Sequence, residues 1–346
     1  MKSLLEKEIY QQPEVIKRLI TNQSTEIAKL AETLRKNPPK FVLVTARGTS
    51  DHAAIYAKYL LSGINHIPSG MAMPSLYTLY RSVPDMSGGL VIAISQSGQT
   101  PDVRAVLDAA QNQGVPTISI TNSKDSPIAL AAEHKIILGA DEEKSVAASK
   151  TFTSQLTALA MLAAHYSGDQ ERIAEINLLP DIIQSALEQR PVTEKIAERF
   201  SHTEHIAIVS RGFNYCTTFE IALKIKELSY MIAQPYSAAD FRHGPIAMLE
   251  TGFPVLAIAM RGSALSDMED MIEAIHWTGA DLTIMTNVDW LDQHAKDIIR
   301  LPEDLPDWLS PIACIVPGQL LGLHLSLARG LDPDKPRGLK KITLTY

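Results

Sequence analysis

Short apolar runs alternate with longer amphipathic stretches along most of this chain. Residues 42–44, 90–94 and 206–209 belong to short apolar runs. Runs of this length are typical of strands buried on both faces, and the stretches between them have the spacing of amphipathic helices. Because strands that alternate with helices form parallel sheets covered on both sides, the pattern predicts an α/β fold with doubly wound parallel sheets.

The alternating pattern occurs twice. Residues 42–48 resemble residues 206–212, and residues 117–122 resemble residues 282–287, at a nearly constant separation. A duplicated unit of strands and helices predicts two domains of the same architecture, each with a flavodoxin-like sheet. The sequence therefore predicts two doubly wound domains that arose from an internal repeat.

The positions of the repeats set the expected domain boundaries. Pro13 suits the first turn of a helix, so the start of the chain is expected to be a helical arm. The expected order is an N-terminal helical arm at 1–38, a first domain at 39–168, a linker helix at 169–192, a second domain at 193–330 and a C-terminal tail at 331–346.

Composition excludes several classes of partner. The 346 residues carry a formal net charge of −7, and basic residues are interspersed with acidic ones instead of forming a block. Such a chain is not expected to bind nucleic acid. Two cysteines are too few for a disulfide framework or a zinc site, so we expect no metal and a reducing compartment such as the cytoplasm.

The start of the chain carries charges where a signal peptide needs an apolar core. We also expect no uncharged apolar run close to the roughly 18 residues that a membrane helix requires. A cytoplasmic protein outside the membrane is therefore expected.

A hydroxyl-rich loop follows the apolar run 90–94. Residues 95–100 read Ser-Gln-Ser-Gly-Gln-Thr and lead into a stretch with helical spacing. Hydroxyls, backbone N–H groups and the positive end of a helix dipole favour an anion at one point. The loop has no lysine and no G-x-G-x-x-G spacing, so it predicts a neutral cradle for a single phosphate monoester. The alternative is an ordinary turn in which Ser or Thr caps the helix.

A second loop strengthens the phosphate interpretation. Thr49 and Ser50 follow the first apolar run, and in a doubly wound sheet they are expected at the same edge as Ser95. The second copy of the repeat lacks these hydroxyls, since it has Met-Arg-Gly-Ser at 260–263 and Gly-Phe-Asn at 212–214. Helix capping alone does not explain two hydroxyl loops at one sheet edge.

Three groups could carry chemistry in the second half. Glu220, Lys224 and Glu227 lie on one stripe of a helix that begins near Tyr215. The stripe is either an exposed ladder of ion pairs or a carboxylate base held beside a lysine in a partly dry site. His243 precedes Gly-Pro, a turn that fixes its position, and imidazole is suited to opening a sugar hemiacetal.

The C-terminal tail ends in a basic segment. Lys340 and Lys341 are followed by alternating Ile342 and Leu344, which can dock as a strand and deliver a lysine into a site. A lysine amine can attack a sugar carbonyl or stabilise its oxyanion.

Taken with their spacing, these motifs resemble the double sugar isomerase (SIS) family. The likeness is closest to the isomerase half of glucosamine-6-phosphate synthase and to stand-alone SIS-type glucosamine-6-phosphate deaminases. It covers nearly the whole chain, and the motifs that carry it are residues 47–50, 95–100, 146–150, 223–230, 243–245 and the tail through Lys341.

The resemblance implies a role for each matching residue. The sugar phosphate would be held by Ser50, Ser95, Gln96, Ser97 and Thr100, and Thr49 and Val146 would also contact the substrate. Glu227 would move a proton between C1 and C2, with Lys224 as its neighbour. The partner subunit of a homodimer would donate His243 to open the ring, and Lys341 would act at the carbonyl. No cofactor is implied.

The resemblance leaves the reaction open. A synthase carries a glutaminase domain that starts with a nucleophilic cysteine, whereas this chain starts with Met1 and Lys2, so we expect no glutaminase. This favours conversion of glucosamine 6-phosphate to fructose 6-phosphate and ammonia. A fructosamine-phosphate deglycase and a plain phosphosugar isomerase remain alternatives. A non-catalytic phosphosugar sensor is less favoured, because Glu227, His243 and Lys341 are all present.

Overall fold

The computed structural model describes residues 2–341, which form two compact units. The first unit contains residues 14–143, 150–178 and 340–341, and the second contains residues 2–13, 144–149 and 179–339. Each unit has a five-stranded parallel sheet. Two doubly wound domains, the central expectation from the repeat, are therefore confirmed.

The first sheet is flavodoxin-like. Its strands are β1 (Phe41–Thr45), β2 (Ser69–Met71), β3 (Gly89–Ile94), β4 (Thr117–Thr121) and β5 (His134–Ile137). They lie in the order β2-β1-β3-β4-β5, and each neighbouring pair is parallel. All six residues of β3 are buried, as expected for an apolar run in the middle of a covered sheet.

The second sheet repeats this arrangement. Its strands are β6 (His205–Ser210), β7 (Ile232–Ser237), β8 (Pro254–Ala259), β9 (Asp281–Thr286) and β10 (Asp297–Arg300). Their order is β10-β9-β8-β6-β7, which matches the order of the first sheet when read from the opposite edge. The repeat in the sequence is thus a repeat of topology.

Helices flank both sheets. The first unit has most of α2 (Gln12–Lys36), together with α3 (Thr49–Tyr59), α4 (Pro74–Thr78), α5 (Pro101–Asn112), α6 (Pro127–Ala131), α7 (Lys150–Ser167) and α8 (Gln170–Ile176). The second unit has α1 (Leu4–Tyr10), α9 (Leu179–Leu187), α10 (Arg190–Arg199), α11 (Tyr215–Ser229), α12 (Ala238–Arg242), α13 (Leu265–His276) and α14 (Ser310–Ala328). The helical arm is confirmed, and Pro13 lies in the first turn of α2.

The expected linker helix is three short helices, α8, α9 and α10. The Asp169 side chain accepts hydrogen bonds from the first turn of α8 and starts that helix. Pro180 is the second residue of α9, and Pro191 is the second residue of α10. Proline fits the first turn of a helix and is disfavoured in a helix interior, so new helices start at these two positions.

The expectation that no long uncharged apolar run exists is wrong. Within the described part of the chain, the 22-residue segment Asp307–Ala328 is long and apolar enough to cross a membrane by length and composition. However, 89% of its apolar window is buried, and its helix α14 packs against α9, α10 and α11. A helix that is apolar all round is typical of a protein core as well as of a membrane span.

Candidate functional site

Two hydroxyl-bearing loops emerge at one edge of the first sheet. Strands β1 and β3 are parallel neighbours, so the segments that follow them start at the same edge. Thr49 and Ser50 begin α3 after β1, and residues 95–100 connect β3 to α5. From β1 the next strand lies towards one edge of the sheet, and from β3 the following strands lie towards the other edge. Doubly wound proteins bind their ligands at such a topological switch point.

The loop after β3 is held by its own hydroxyls. The Ser95 hydroxyl accepts from the Gly98 N–H at 3.1 Å and lies 3.2 Å from the Thr100 hydroxyl. Gly98 has φ of 65°, and a Cβ atom there would lie 2.0 Å from the Ser126 Oγ. Only glycine therefore allows the loop to curl at this position.

These hydroxyls do not cap the helices that follow. Thr100 is the N-cap residue of α5, and Gly48 is the N-cap residue of α3, but neither helix has a side-chain cap. The Ser50 hydroxyl instead accepts a hydrogen bond from the Gln155 amide at 2.9 Å. The ordinary capped turn is thus not what these residues form, and both helix N-termini remain suited to an anion.

An ion pair that could not be predicted from the sequence lies beside the cradle. The Arg47 guanidinium binds the buried Asp102 carboxylate through Nε at 2.7 Å and Nη2 at 2.6 Å. Asp102 lies in the first turn of α5, two residues after Thr100. Burial raises the pKa of Asp51, in the first turn of α3, while His52 and Arg47 act in the opposite direction.

A buried charged cluster lies on α11 in the second unit. The Lys224 Nζ is 2.6 Å from the Glu227 Oε2 and 3.4 Å from the Glu220 Oε1. The side chains of Lys224 and Glu220 are 1% and 0% exposed, whereas Glu227 is 21% exposed. An exposed ladder of ion pairs is therefore excluded, and Glu227 is the one member of the cluster that solvent or a ligand can reach.

Close packing of α14 buries this cluster. A Cβ atom at Gly318 would lie 2.4 Å from Ile221, and one at Gly322 would lie 3.2 Å from the Lys224 Cβ. The two glycines thus let the backbone of α14 approach α11 closely. Low exposure strengthens the attraction between Lys224 and its carboxylates.

The lysine of this cluster is held in its charged form. Burial alone lowers the pKa of Lys224, but the carboxylates of Glu220 and Glu227 outweigh it and keep the pKa above the usual lysine range. The ammonium lies between two carboxylates, of which Glu227 is the one that a ligand can reach. Glu227 is therefore the candidate general base.

Lys341 is also paired with a buried carboxylate. Its Nζ lies 2.8 Å from the Glu143 Oε2, in the first unit. Glu143 also accepts from the Thr151 N–H at 3.1 Å and from the Thr151 hydroxyl at 2.7 Å. Sequence reasoning missed Glu143, because a contact across so many residues leaves no local pattern.

His243 and Val146 lie outside the two charged clusters. His243 is exposed, at the end of α12 and before a turn that starts at Pro245. Val146 is half-buried in the segment 144–149 of the second unit. The predicted strand with Ile342 and Leu344 lies outside the described residues.

The sequence resembles known proteins over nearly its whole length. The family model described as SIS domain matches residues 37–165 and 199–304. The chain is 36% identical to a glutamine–fructose-6-phosphate aminotransferase (isomerizing) from Pyrococcus horikoshii, across 97% of this chain and 56% of the relative. The chain spans 56% to 58% of the length of the curated relatives it matches.

Solved structures share the fold. A proposed phosphosugar isomerase from Silicibacter pomeroyi DSS-3 matches with a TM-score of 0.89 and 30% identity, over 96% of this chain and 100% of that one. The C-terminal domain of glucosamine-fructose-6-phosphate aminotransferase from Francisella tularensis matches with a TM-score of 0.87 and 27% identity, over 97% of this chain and 98% of that one.

Proposed function

The chain belongs to the SIS domain family, and from that membership we propose that it is a phosphosugar isomerase that converts glucosamine 6-phosphate and water to fructose 6-phosphate and ammonia. The observation that carries the proposal is the buried cluster of Glu220, Lys224 and Glu227. A buried ammonium that holds a reachable carboxylate is costly for stability alone but suits a general base.

The first unit supplies the proposed phosphate site. Hydroxyls of Ser50, Ser95, Ser97 and Thr100 would donate to phosphate oxygens at the N-termini of α3 and α5, with Gln96 and Thr49 beside them. The ion pair between Arg47 and Asp102 joins the segment after β1 to the first turn of α5 beside this loop. A phosphate monoester held in this way fixes one end of the sugar and leaves C1 and C2 for catalysis.

Proton transfer is assigned to Glu227. In the open-chain sugar its carboxylate takes the proton from C2 and returns it to C1, while O1 gains a proton and the amino nitrogen loses one. The 2-amino aldehyde thus becomes a 1-hydroxy-2-imine. Water adds to the C2 carbon of the imine, and loss of ammonia leaves the ketone of fructose 6-phosphate. Lys224 donates a hydrogen bond to Glu227 at 2.6 Å, which would hold the carboxylate in position for this transfer.

Two further groups complete the proposed chemistry. His243 would open the sugar ring by moving a proton between the ring oxygen and the C1 hydroxyl. Lys341, paired with Glu143, would stabilise negative charge on the C1 oxygen while C2 is deprotonated. Val146 would contact the sugar through its backbone.

The two cysteines of this chain do not suit a glutaminase. Cys216 and Cys314 are both fully buried, and burial raises the pKa of Cys216 to about 12 and that of Cys314 well above its usual value. Neither thiol is thus suited to release ammonia from glutamine, a step that needs a reactive thiolate. The two free thiols also fit the proposed cytoplasmic location.

Product analysis tests the proposal. Purified protein is given glucosamine 6-phosphate, and ammonia and fructose 6-phosphate are measured in coupled assays, with Glu227→Gln as the blank. We expect equal amounts of both products and no activity with glutamine. Fructose 6-phosphate from glucose 6-phosphate without ammonia would instead identify a plain isomerase, and release of an amino acid from a fructosamine phosphate would identify a deglycase.

Removal of loop hydroxyls is expected to weaken phosphosugar binding. Ser97→Ala and Thr100→Ala each lose a hydrogen bond to a charged oxygen, worth roughly 1.5–3 kcal/mol, so each should bind roughly tenfold to hundredfold more weakly. Calorimetric titration with glucosamine 6-phosphate measures this change. The control is Ser123→Ala, an exposed hydroxyl after β4. Wild-type affinity in both loop variants would disprove the phosphate assignment.

A shared active site predicts complementation between two inactive variants. If His243 comes from the partner subunit, a dimer of one Glu227→Gln chain and one His243→Ala chain has one intact site and one site with both lesions. Random pairing makes about half of the dimers mixed, so about a quarter of all sites should work. The two variants are unfolded together, refolded at equal amounts and assayed.

This complementation experiment has a clear negative result. If both residues act within one chain, each site carries one lesion and activity stays at the level of the separate variants. Tagging the two chains differently and isolating the doubly tagged species shows that mixed dimers are present. An inactive mixed dimer would thus exclude a shared site.

A further inference from the structure

A buried carboxylate of the N-terminal helix holds the segment that carries Val146. Glu8, in α1, is 5% exposed, and its two oxygens accept from the backbone N–H groups of Lys144 at 2.5 Å and Ser145 at 3.2 Å. The Ser145 hydroxyl also donates to Glu8. Three donors on adjacent residues thus converge on one side chain, directly before Val146.

The far end of the same segment is tied to the beginning of α2. The Gln12 amide donates to the Gln319 side-chain oxygen at 2.9 Å, and the Gln319 amide donates to the Ser149 carbonyl at 3.3 Å. Gln12 and Gln319 are 0% and 1% exposed. The segment 144–149, which we name the substrate loop, is therefore held at both ends by buried polar contacts.

The helix that supplies Glu8 is itself fixed in place. The Asp334 carboxylate accepts from the backbone N–H groups of Leu4 and Leu5 at 2.8 Å and 3.0 Å and caps the start of α1. Glu6, also in α1, pairs with Arg190 at 2.6 Å. A capped and paired helix is a rigid platform, so the Glu8 carboxylate has a defined position.

We propose that Glu8 is a positioning residue that fixes the substrate loop for sugar binding. A carboxylate that accepts backbone N–H groups makes stronger bonds than a neutral acceptor, and buried donors left unpaired would move to find water. The proposal rests on the proposed function, because it takes Val146 as a sugar contact. The N-terminal helix thus has a role in a site whose other residues lie far from that helix in the sequence.

The test compares two buried carboxylates of the same helix. Glu8→Gln keeps the size of the side chain but places an NH₂ group against N–H donors. Glu6→Gln is the matched control, since Glu6 is also buried but pairs with Arg190 instead of the loop. We expect Glu8→Gln to raise KM for glucosamine 6-phosphate about tenfold, equivalent to about 1.4 kcal/mol, with kcat within about threefold of wild type.

Two further measurements separate positioning from general stability. Glu8→Asp keeps the charge and both acceptor oxygens, so its KM should lie between those of wild type and Glu8→Gln. Hydrogen exchange of the ligand-free protein should be faster by about tenfold at the Lys144 and Ser145 amides in Glu8→Gln, and unchanged there in Glu6→Gln. Melting temperatures show whether the two glutamine variants lose comparable stability.

The outcomes distinguish this proposal from the proposed function. Equal KM values for wild type, Glu8→Gln and Glu6→Gln, in an active enzyme, would overturn the role of Glu8 and leave the function intact. Faster exchange at the loop amides in Glu8→Gln, together with a wild-type protein that binds no phosphosugar, would show that Glu8 holds the loop but that the proposed function is wrong. Equal loss in both glutamine variants would reduce Glu8 to a structural role.

Discussion

Glu227→Gln is expected to bind glucosamine 6-phosphate normally and to lose at least about 100-fold in turnover, because positioned proton transfer typically contributes that much or more. The amide fills the space of the carboxylate and its oxygen can still accept from Lys224, which now lies 2.6 Å from Glu227. It cannot take up the C2 proton. Calorimetry with the sugar phosphate and a coupled assay for fructose 6-phosphate measure the two effects separately.

The matched control is Glu198→Gln, an exposed carboxylate on α10 of the same unit. It should leave both binding and turnover unchanged. A Glu227→Gln enzyme that keeps more than about a tenth of wild-type turnover would remove Glu227 from the proton-transfer step. Weakened binding without a change in kcat would instead make Glu227 a contact for the substrate.

The fold could be predicted because its determinants are local or repeated. Buried strands appear as apolar runs, and the duplication of residues 42–48 at 206–212 fixed the architecture of the second domain once the first was assigned. The parallel pairing of β1 and β3 then required Ser50 and Ser95 to start from one edge. The spacing of Glu220, Lys224 and Glu227 likewise required one helix face, because a helix repeats every 3.6 residues.

The contacts that could not be predicted join distant parts of the chain. Arg47 binds Asp102, Lys341 binds Glu143, and Glu8 binds the segment at 144–145, and none of these pairs lies within one helix or one strand. Each forms only when separate segments pack together. Burial of the Lys224 cluster was also undetermined, because the same spacing occurs in exposed ion-pair ladders. The close approach of α14 decided it.

Lys224→Met is expected to destabilise the protein by about 3–5 kcal/mol, the usual effect of removing one partner of a buried ion pair. Methionine fills the space of the lysine stem, so lost packing adds little. The main effect comes from charge, because the variant leaves the Glu220 and Glu227 carboxylates without the ammonium that contacts both of them in the wild type. Chemical denaturation at neutral pH measures the loss.

The pH dependence of this variant identifies the cause. In the wild type the pKa of Lys224 is raised, so the stability it provides is complete below the ordinary lysine pKa and is lost only as the pH rises through the folded value. Without the ammonium, repulsion and burial raise the carboxylate pKa in the folded state. The variant then gains stability relative to wild type as the pH falls from about 7 towards the usual glutamate pKa near 4.3.

Two companion variants complete the experiment on the cluster. Lys226→Met changes an exposed lysine of the same helix and should alter stability by less than about 0.5 kcal/mol, as surface substitutions usually do. Adding Glu220→Gln to Lys224→Met removes one of the two unpaired charges, so the double variant should be more stable than Lys224→Met alone. The double variant could instead be less stable than Lys224→Met, and the stability lost in Lys224→Met could be independent of pH. In that case packing, and not charge, would explain the loss. The charge of Lys224 would then have no part in the stability of the cluster, and the assignment of Glu227 as the base would lose its electrostatic support.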